Sequence, residues 1–225
     1  MKTKEYKLIE GYMLECMSDS AHDKDHIYRV LYVALNIAEY EKDVDHDVLI
    51  AACLLHDIGR REQFENPQLC HAAIGAVKAC EFLKKNGFDV GFANKVASCI
   101  RAHRFRSENP PRETEERILF DSDKIDVTGA IGIARTIFYK GQVSEPLYSL
   151  TESGDVSDGT DDLQPSFFQE YKLKLEGLYT KFYTKRGLEI AIQRQHSATS
   201  FYKNMLKETQ EAYQIGQALV DHWIE

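Results

Sequence analysis

The stretch "CLLHDIGRRE", residues 53–62, places a histidine and an aspartate side by side at the end of an apolar run. In a helix, a side chain shares its face with the residues three and four positions earlier. For His56 and Asp57 those positions fall within 52–54, "ACL", so both ionisable groups point to an apolar face. A buried carboxylate without a partner is strongly unfavourable. The stretch therefore predicts a partner for this pair, and a divalent cation is an obvious one.

Composition narrows the class of protein. The chain has 225 residues, 43% of them hydrophobic and 28% charged, which is typical of a soluble globular protein. Its net charge of −8 argues against binding to a nucleic acid polymer, because such binding depends on neutralising phosphates. A small anionic substrate is still compatible with this charge if a metal reverses the local field. The sequence shows no signal-peptide pattern and no membrane-length apolar run, so we expect no membrane association.

Cysteine usage points to a compartment. The five cysteines are odd in number and never form a CxxC pair, which disfavours a disulfide scaffold and a zinc ribbon. A cytoplasmic location, where thiols stay reduced, is the expectation.

Apolar residues recur with helical rather than strand periodicity along almost the whole chain, which predicts an all-α fold. We predict Asp47 as an N-cap, Gly87 as a left-handed C-cap, Asp89 or a neighbour as a further helix start, and a helix start at Thr114. The predicted helices cover about 25–41, 48–57, 71–86, 90–104, 115–125, 127–140, 166–184 and 186–213, followed by a short C-terminal piece.

The chain is expected to form one structural domain with three parts. Residues 1–145 are predicted to form a metal-binding helical core, 146–165 an acidic loop, and 166–225 a helical extension packed on the core. The stretch "TESGDVSDGTDDLQP" within the loop superficially suggests a calcium site. Its glycine stands in the wrong place relative to the acids and no glutamate closes it, so this interpretation is disfavoured.

Three further polar residues lie on predicted inner helix faces near a helix end. His26, His103 and Asp123 are each in line with apolar residues of their own helices. A single buried histidine is more often a hydrogen-bonded core residue than a ligand, so the weight rests on the joint pattern. Together with the His-Asp pair, these residues could form a mixed nitrogen and oxygen shell. Such a shell suits Mn, Mg, Fe, Co or Ni, and zinc is less favoured than by thiolates.

The order His26, then His56-Asp57, then Asp123 resembles the H…HD…D signature of the HD-domain superfamily of metal-dependent phosphohydrolases. The local contexts agree: "AHDKDHIYRVLYVALNIA", "AACLLHDIGRRE" and "ERILFDSDKIDVTGAIGIAR". The last is similar to the "DADKLDALGAIGIAR" segment of small, single-domain bacterial and archaeal members. The segment "SFFQEYKLKLEGLYTKFYTKRG" resembles the C-terminal extension of that subgroup. The resemblance implies an all-α HD-domain helical bundle with a C-terminal helical extension.

The resemblance also implies roles for individual residues. His26, His56, Asp57 and Asp123 would bind one metal. His71 and His103 match the extra histidines of members with two metals, and they would bind a second metal or donate to a substrate phosphate. The sequence lacks an adjacent His-His pair near residue 103, which disfavours a full second metal site. We favour the phosphate role, because imidazolium and metal together stabilise phosphate charge well.

Catalysis would rest on Asp57, His71 and His103, with Asp57 orienting the attacking water or accepting its proton. Glu62 and Asp126 are further candidates for a general base.

Substrate-binding candidates surround these positions. Arg60 or Arg61 could bind a phosphate through the guanidinium fork, or form a solvated surface pair. Lys124 is a phosphate contact or a surface lysine. His22 lies one turn before His26 and is either a substrate contact or an exposed residue at a helix start. Asp126 completes this group.

The resemblance makes a small phosphate substrate, most plausibly a nucleotide, the leading hypothesis, including cleavage of nucleoside triphosphates to monophosphate and pyrophosphate. A nucleoside monophosphatase or a cyclic-nucleotide phosphodiesterase is the alternative enzyme. A non-catalytic metal or nucleotide sensor of the same fold is the alternative from another class. The amphipathic C-terminal helices are compatible with a homodimer.

Overall fold

The computed structural model describes residues 1–17, 24–104 and 109–224, and these ranges are helical without a β-strand. A single antiparallel bridge joins Leu150 to Val156. The all-α prediction is therefore confirmed. The helices are α1 (Thr3–Cys16), α2 (Lys24–Ala38), α3 (His46–Leu55), α4 (Arg60–Glu65), α5 (His71–Lys85), α6 (Val90–Ala102), α7 (Thr114–Ile125), α8 (Gly129–Gln142), α9 (Phe167–Glu170) and α10 (Lys185–Trp223).

The chain divides into two compact units. The first contains Met1–Asp126 and returns for Tyr183–Gly187, and the second contains Val127–Phe182 and Leu188–Glu225. These limits differ from the boundaries at 145 and 166 that the sequence favours, which stay predictions. None of the helices in the described ranges combines the length and apolar character needed to cross a membrane.

Helix α3 is the centre of the first unit. It packs against α1, α2, α6 and α7, and residues 48–55 are buried apart from the half-buried Ile50. A short, continuously apolar helix of this kind is stable only when other helices cover all its sides. The residues that directly follow α3 are therefore held in the interior of the unit.

Local signals set several of the helix limits. Gly87 adopts a φ of +80° after α5, and Asp89 caps α6 by accepting a hydrogen bond from the Phe92 amide at 3.0 Å, both as predicted. The predicted cap of α3 was wrong by two residues. Asp45 is the N-cap and accepts from the Val48 amide at 3.2 Å, while Asp47 lies in the first turn and pairs with the Met1 amine.

Asp121 in α7 holds the start of α10 to the first unit. Its Oδ1 accepts a hydrogen bond from the Tyr183 amide at 2.9 Å, and its Oδ2 accepts from both the amide and the hydroxyl of Thr184 at 2.7 Å. A β-carbon at Gly187 would lie 2.7 Å from that Oδ2 atom, so glycine leaves room for the carboxylate. This carboxylate satisfies amides that would otherwise be orphaned near a helix start.

We expect Asp121→Asn to lower the free energy of unfolding by about 1–3 kcal/mol, because an amide donor then faces buried donors. Urea denaturation followed by circular dichroism measures this change. Asp221→Asn, on the exposed surface of α10, is the control and should change stability by less than about 0.5 kcal/mol. Equal stability of the two variants would contradict the assigned role of Asp121.

The second unit has an aromatic core of its own. Phe167 and Phe168 are fully buried, and the rings of Tyr171 and Tyr202 stack at a centroid distance of 4.0 Å. The helix predicted over 166–184 is not continuous. After α9 the chain forms one π-helical turn at Tyr171–Leu175 and a 3₁₀ turn at Leu178–Thr180.

Candidate metal centre

The His-Asp pair occupies the turn that follows α3. His56 is fully buried and Asp57 is 4% exposed. The ring Nδ1 of His56 donates to the carbonyl oxygen of Cys53 at 2.7 Å. A carbonyl can only accept, so the proton sits on Nδ1 and the Nε2 atom keeps a lone pair.

A first cluster forms where α2 and α7 meet this turn. The Nε2 atoms of His26 and His56 are 3.3 Å apart, and Asp123 Oδ1 lies 3.2 Å from the former and 3.8 Å from the latter. Asp57 Oδ2 is 3.6 Å from His26 Nε2 and 3.7 Å from His56 Nε2. The four residues predicted as one metal-binding set are thus brought together.

A second cluster lies at the other oxygen of Asp57. Its Oδ1 is 3.5 Å from His71 Nε2 and 3.7 Å from His103 Nε2, and these two nitrogens are 3.2 Å apart. His71 is the first residue of α5, and His103 follows the last residue of α6. One carboxylate therefore contributes an oxygen to each of two clusters.

Gly59 allows this arrangement. A β-carbon at this position would lie 2.7 Å from the Gly75 backbone nitrogen, and closer still to the carbonyl oxygen of His71. The turn after the His-Asp pair and the first turn of α5 are therefore in backbone contact, which brings His71 to Asp57. Gly59 has an ordinary negative φ of −96°, so glycine is needed there for the close approach of two backbones and not for its own conformation. No pattern in the local sequence indicates such a contact.

All four imidazoles are oriented by an acceptor at Nδ1. His103 donates to the carbonyl of Ile100 at 2.6 Å, His71 to Gln63 Oε1 at 2.6 Å, and His26 to Asp126 Oδ2 at 2.7 Å. Such hydrogen bonds fix the tautomer of a metal-binding histidine. The Nε2 atoms consequently point inward to the two clusters.

Burial and nearby charges set the protonation states of His56, Asp57 and His71. Burial lowers the pKa of His56 to about 4 and that of His71 to about 3, so both imidazoles are neutral at pH 7. Burial opposes ionisation of Asp57, but Arg60 and the nearby imidazoles hold its pKa well below the usual range. These are the states that metal ligands require.

His26 and Asp123 behave as a hydrogen-bonded pair. Burial lowers the pKa of His26, yet hydrogen bonds to Asp123 and Asp126 outweigh it and raise that pKa to about 9. Burial would raise the pKa of Asp123, but the hydrogen bond from His26 lowers it.

The chemistry of these donor atoms fits a divalent cation. Within each cluster two imidazole nitrogens face each other at hydrogen-bonding distance, with their protons on the far side of each ring. Such a contact is repulsive unless a proton or a metal ion lies between the lone pairs. His26 Nε2 also lies 3.6 Å from Asp57 Oδ2 and 3.2 Å from Asp123 Oδ1, and these two carboxylates favour a positive charge there. Nitrogen and oxygen donors in this combination suit Mn, Mg, Fe, Co or Ni.

The predicted substrate-binding residues are dispersed. Arg60 Nε donates to Asp57 Oδ1 at 2.9 Å, which places its charge beside the second cluster. Arg61 instead pairs with Glu65 on the exposed face of α4 at 3.1 Å. Lys124 Nζ lies 3.8 Å above the centre of the Phe120 ring.

The remaining candidates differ in their surroundings. Asp126 is buried behind His26. Glu62 accepts from Lys78 Nζ at 2.6 Å, and the same ammonium group donates to the carbonyl oxygen of Ile58 at 2.8 Å. His22 lies outside the described residues.

Sequence reasoning missed three residues near the clusters. Gln63 orients His71, and Arg29 donates to Asp126. A terminal guanidinium nitrogen of Arg104 lies 3.8 Å from the Sγ atom of Cys70. These two residues are sequence neighbours of His103 and His71. Arg29 could have been noticed from its spacing, because it lies three positions after His26 and so shares its helix face. Asp126 stands at the same spacing from Asp123.

Comparisons with known proteins agree with this geometry. Residues 24–128 match the HD domain model, a range that includes every member of both clusters. The YpgQ protein of Bacillus subtilis (strain 168) is 26% identical over 211 residues, which covers 91% of this chain and 94% of YpgQ. The crystal structure of a predicted HD superfamily hydrolase from an uncultured Thermotogales bacterium is 28% identical, with a TM-score of 0.59 and 92% coverage of both chains. The crystal structure of YpgQ in complex with ADP has a TM-score of 0.69 at 24% identity, covering 90% of this chain and 97% of that one.

The fold and the two clusters define a metal-dependent hydrolase. Residues 24–128, which contain both clusters, belong to the HD-domain superfamily.

Proposed function

We propose that the protein is a metal-dependent phosphohydrolase acting on nucleotides, with nucleoside triphosphates as the first candidates and pyrophosphate as a candidate product. The observation that carries this proposal is the placement of Asp57, whose two oxygens belong to two different clusters of ligands. That arrangement suits a reaction in which negative charge develops between cationic centres, as in phosphoryl transfer. The ADP complex of YpgQ supports a nucleotide as the ligand.

His26, His56, Asp57 and Asp123 would hold the metal of the first cluster, and manganese is our first choice among Mn, Mg, Fe, Co and Ni. Bound there, a divalent cation would polarise a phosphoryl oxygen and lower the pKa of water. Asp57 would orient the attacking water, since its carboxylate is held between both clusters and its pKa is low. Arg60 would neutralise charge on the phosphoryl group, because its guanidinium is anchored by Asp57 and about a third of the side chain is exposed.

His71 and His103 are better suited to a second cation than to donating to a phosphate. The Nδ1 protons of His71 and His103 are donated to Gln63 Oε1 and to the carbonyl oxygen of Ile100, so the Nε2 atoms, 3.2 Å apart, are the ones that face the cluster. Burial lowers the pKa of His71 to about 3, which disfavours a protonated donor at pH 7. The geometry therefore favours the second-metal interpretation over the phosphate role preferred from the sequence. The metal content of purified protein after reconstitution, one or two ions per chain, tests it.

Activity is tested by assaying phosphate and pyrophosphate release from a nucleotide panel. The protein is first stripped with a chelator, and Mn, Mg, Co and Ni are then added singly. Metal-dependent release from a triphosphate supports the proposal, and the product identifies the cleaved bond. Metal binding without release from any nucleotide would contradict it. The cytoplasmic location and the absence of a nucleic acid polymer or membrane partner stay predictions, as does the homodimer.

Removal of metal is expected to lower the melting temperature by about 5–10 °C. A ligand present at about 100 times its Kd stabilises the folded state by about 2.7 kcal/mol, and each kcal/mol shifts a chain of this size by about 2–4 °C. Differential scanning calorimetry before and after chelation, and again after adding manganese, measures the shift. An unchanged melting temperature in all three states would argue against a structural contribution from the metal.

A further inference from the structure

A pair of residues lies behind His26, on the side of its ring that faces away from the clusters. Asp126 Oδ2 accepts the Nδ1 proton of His26 at 2.7 Å. Asp126 Oδ1 accepts from Arg29 Nε at 2.7 Å, and a terminal guanidinium nitrogen of Arg29 lies 3.1 Å from Oδ2. Both carboxylate oxygens are therefore engaged by protein groups, and Asp126 is 3% exposed.

The same two helices supply the ligands and the residues behind them. His26 and Arg29 are three residues apart in α2, and Asp123 and Asp126 are separated equally at the end of α7. Residues at this spacing lie one above the other on one helix face. The facing helices are therefore joined twice, once at the first cluster and once directly behind it.

His26 differs from the other three histidines of the two clusters in the group that accepts its Nδ1 proton. His56 and His103 donate to backbone carbonyls and His71 to an amide oxygen, whereas His26 donates to a carboxylate. A carboxylate behind an imidazole fixes the ring and increases the basicity of the opposite nitrogen. The fork of Arg29 holds that carboxylate in one plane.

We propose that Arg29 and Asp126 are positioning residues that set the metal affinity of the first cluster through His26. This inference rests on the proposed function, because it takes His26 as a metal ligand. It assigns Asp126 a role other than the substrate contact or general base considered from the sequence. A purely structural role, in which the pair only ties α2 to α7, is the alternative.

The experiment measures manganese binding to folded, chelator-stripped protein by isothermal titration calorimetry. We expect Asp126→Asn to weaken binding at one site by about 10- to 100-fold. Arg29→Lys keeps the charge but loses the fork, and we expect a smaller loss of about three- to tenfold. Asp121→Asn is the matched control, since Asp121 is a buried aspartate of the same helix that is bonded to Tyr183 and Thr184. Its affinity should stay within about threefold of wild type despite its lower stability.

A second readout separates positioning from general destabilisation. The visible spectrum of the cobalt(II)-loaded protein reports the ligand field, so Asp126→Asn should shift the absorption bands and Asp121→Asn should not. Equal affinities and spectra for wild type and Asp126→Asn would overturn the inference while leaving the proposed function intact. Equal losses in the Asp121 and Asp126 variants would also overturn it, in favour of the structural alternative. A wild-type protein that binds no divalent metal would instead refute the proposed function. If Asp126→Asn does not fold, Arg29→Lys decides the question alone. The Arg29 side chain is one-third exposed, so we expect this variant to fold.

Discussion

Replacing Asp57 by asparagine is expected to lower metal-dependent nucleotide hydrolysis by about 1000-fold or more, which corresponds to about 4 kcal/mol of transition-state stabilisation. The reason is that Asp57 serves both clusters, with Oδ2 in the first and Oδ1 in the second. An asparagine side chain keeps the shape but loses the charge and replaces one oxygen by a donor that repels a cation. Initial rates of phosphate or pyrophosphate release, at saturating manganese, measure the effect.

Asp123→Asn is the informative comparison for this variant. Asp123 contributes to the first cluster alone, so its loss should weaken one metal site, whereas Asp57→Asn should weaken both. Metal content measured by mass spectrometry distinguishes the two patterns. Residual activity of Asp57→Asn within tenfold of wild type would show that the carboxylate does not link the two sites.

Gly59→Ala should lower the free energy of unfolding by about 3 kcal/mol, because overpacking of this kind is costly when the neighbours cannot rotate away. The added β-carbon would meet the backbone of Gly75 and His71, and a backbone contact can be relieved only by moving α5. Such a movement would also separate His71 from Asp57. We therefore expect a melting temperature lower by about 6–12 °C and weaker binding at the second cluster.

Gly11→Ala is the matched control for this substitution. Gly11 lies inside α1, and a β-carbon there would contact no heavy atom within 4 Å. Alanine in an open helical position stabilises by roughly 0.5–1 kcal/mol, so the control should melt slightly higher than wild type. A Gly59→Ala protein as stable as wild type would show that α5 does not approach the His-Asp turn this closely.

Helices with strong local signals were predictable from the sequence, and those with weak signals were not. The helices numbered α2, α3, α5, α6, α7 and α8 were predicted within a few residues. Helix α1 was missed, because only Ile9 and Met13 are buried along its 14 residues and Lys2 gives no ordinary cap signal. Helix α4 was missed because its 6 residues are too few to show a period.

The break at 166–184 illustrates a limit of local reasoning. The apolar period there predicts one continuous helix, yet Tyr183 and Thr184 are bonded to Asp121, 62 and 63 residues earlier in the chain. No window of neighbouring residues contains that interaction. The last helix is also longer than the predicted 186–213, since it continues to Trp223.

The candidate site was more predictable than its supports. His26, His56, Asp57 and Asp123 stand out because ionisable groups on apolar helix faces need an explanation, and the family resemblance ordered them. Gln63 and Arg29 carry no such anomaly, since polar residues at half-exposed helix positions are common. Their roles appear only once distances between helices are known.

The return of Tyr183–Gly187 to the first unit has a consequence for dissecting this protein. The unit that carries both clusters is discontinuous along the chain, so a fragment that stops at Asp126 lacks five of its residues and leaves Asp121 without the groups that donate to it from Tyr183 and Thr184. Residues 127–182 lie, along the chain, between the two pieces of the first unit, and they form the second unit together with Leu188–Glu225. A transplanted metal site would need both pieces as well.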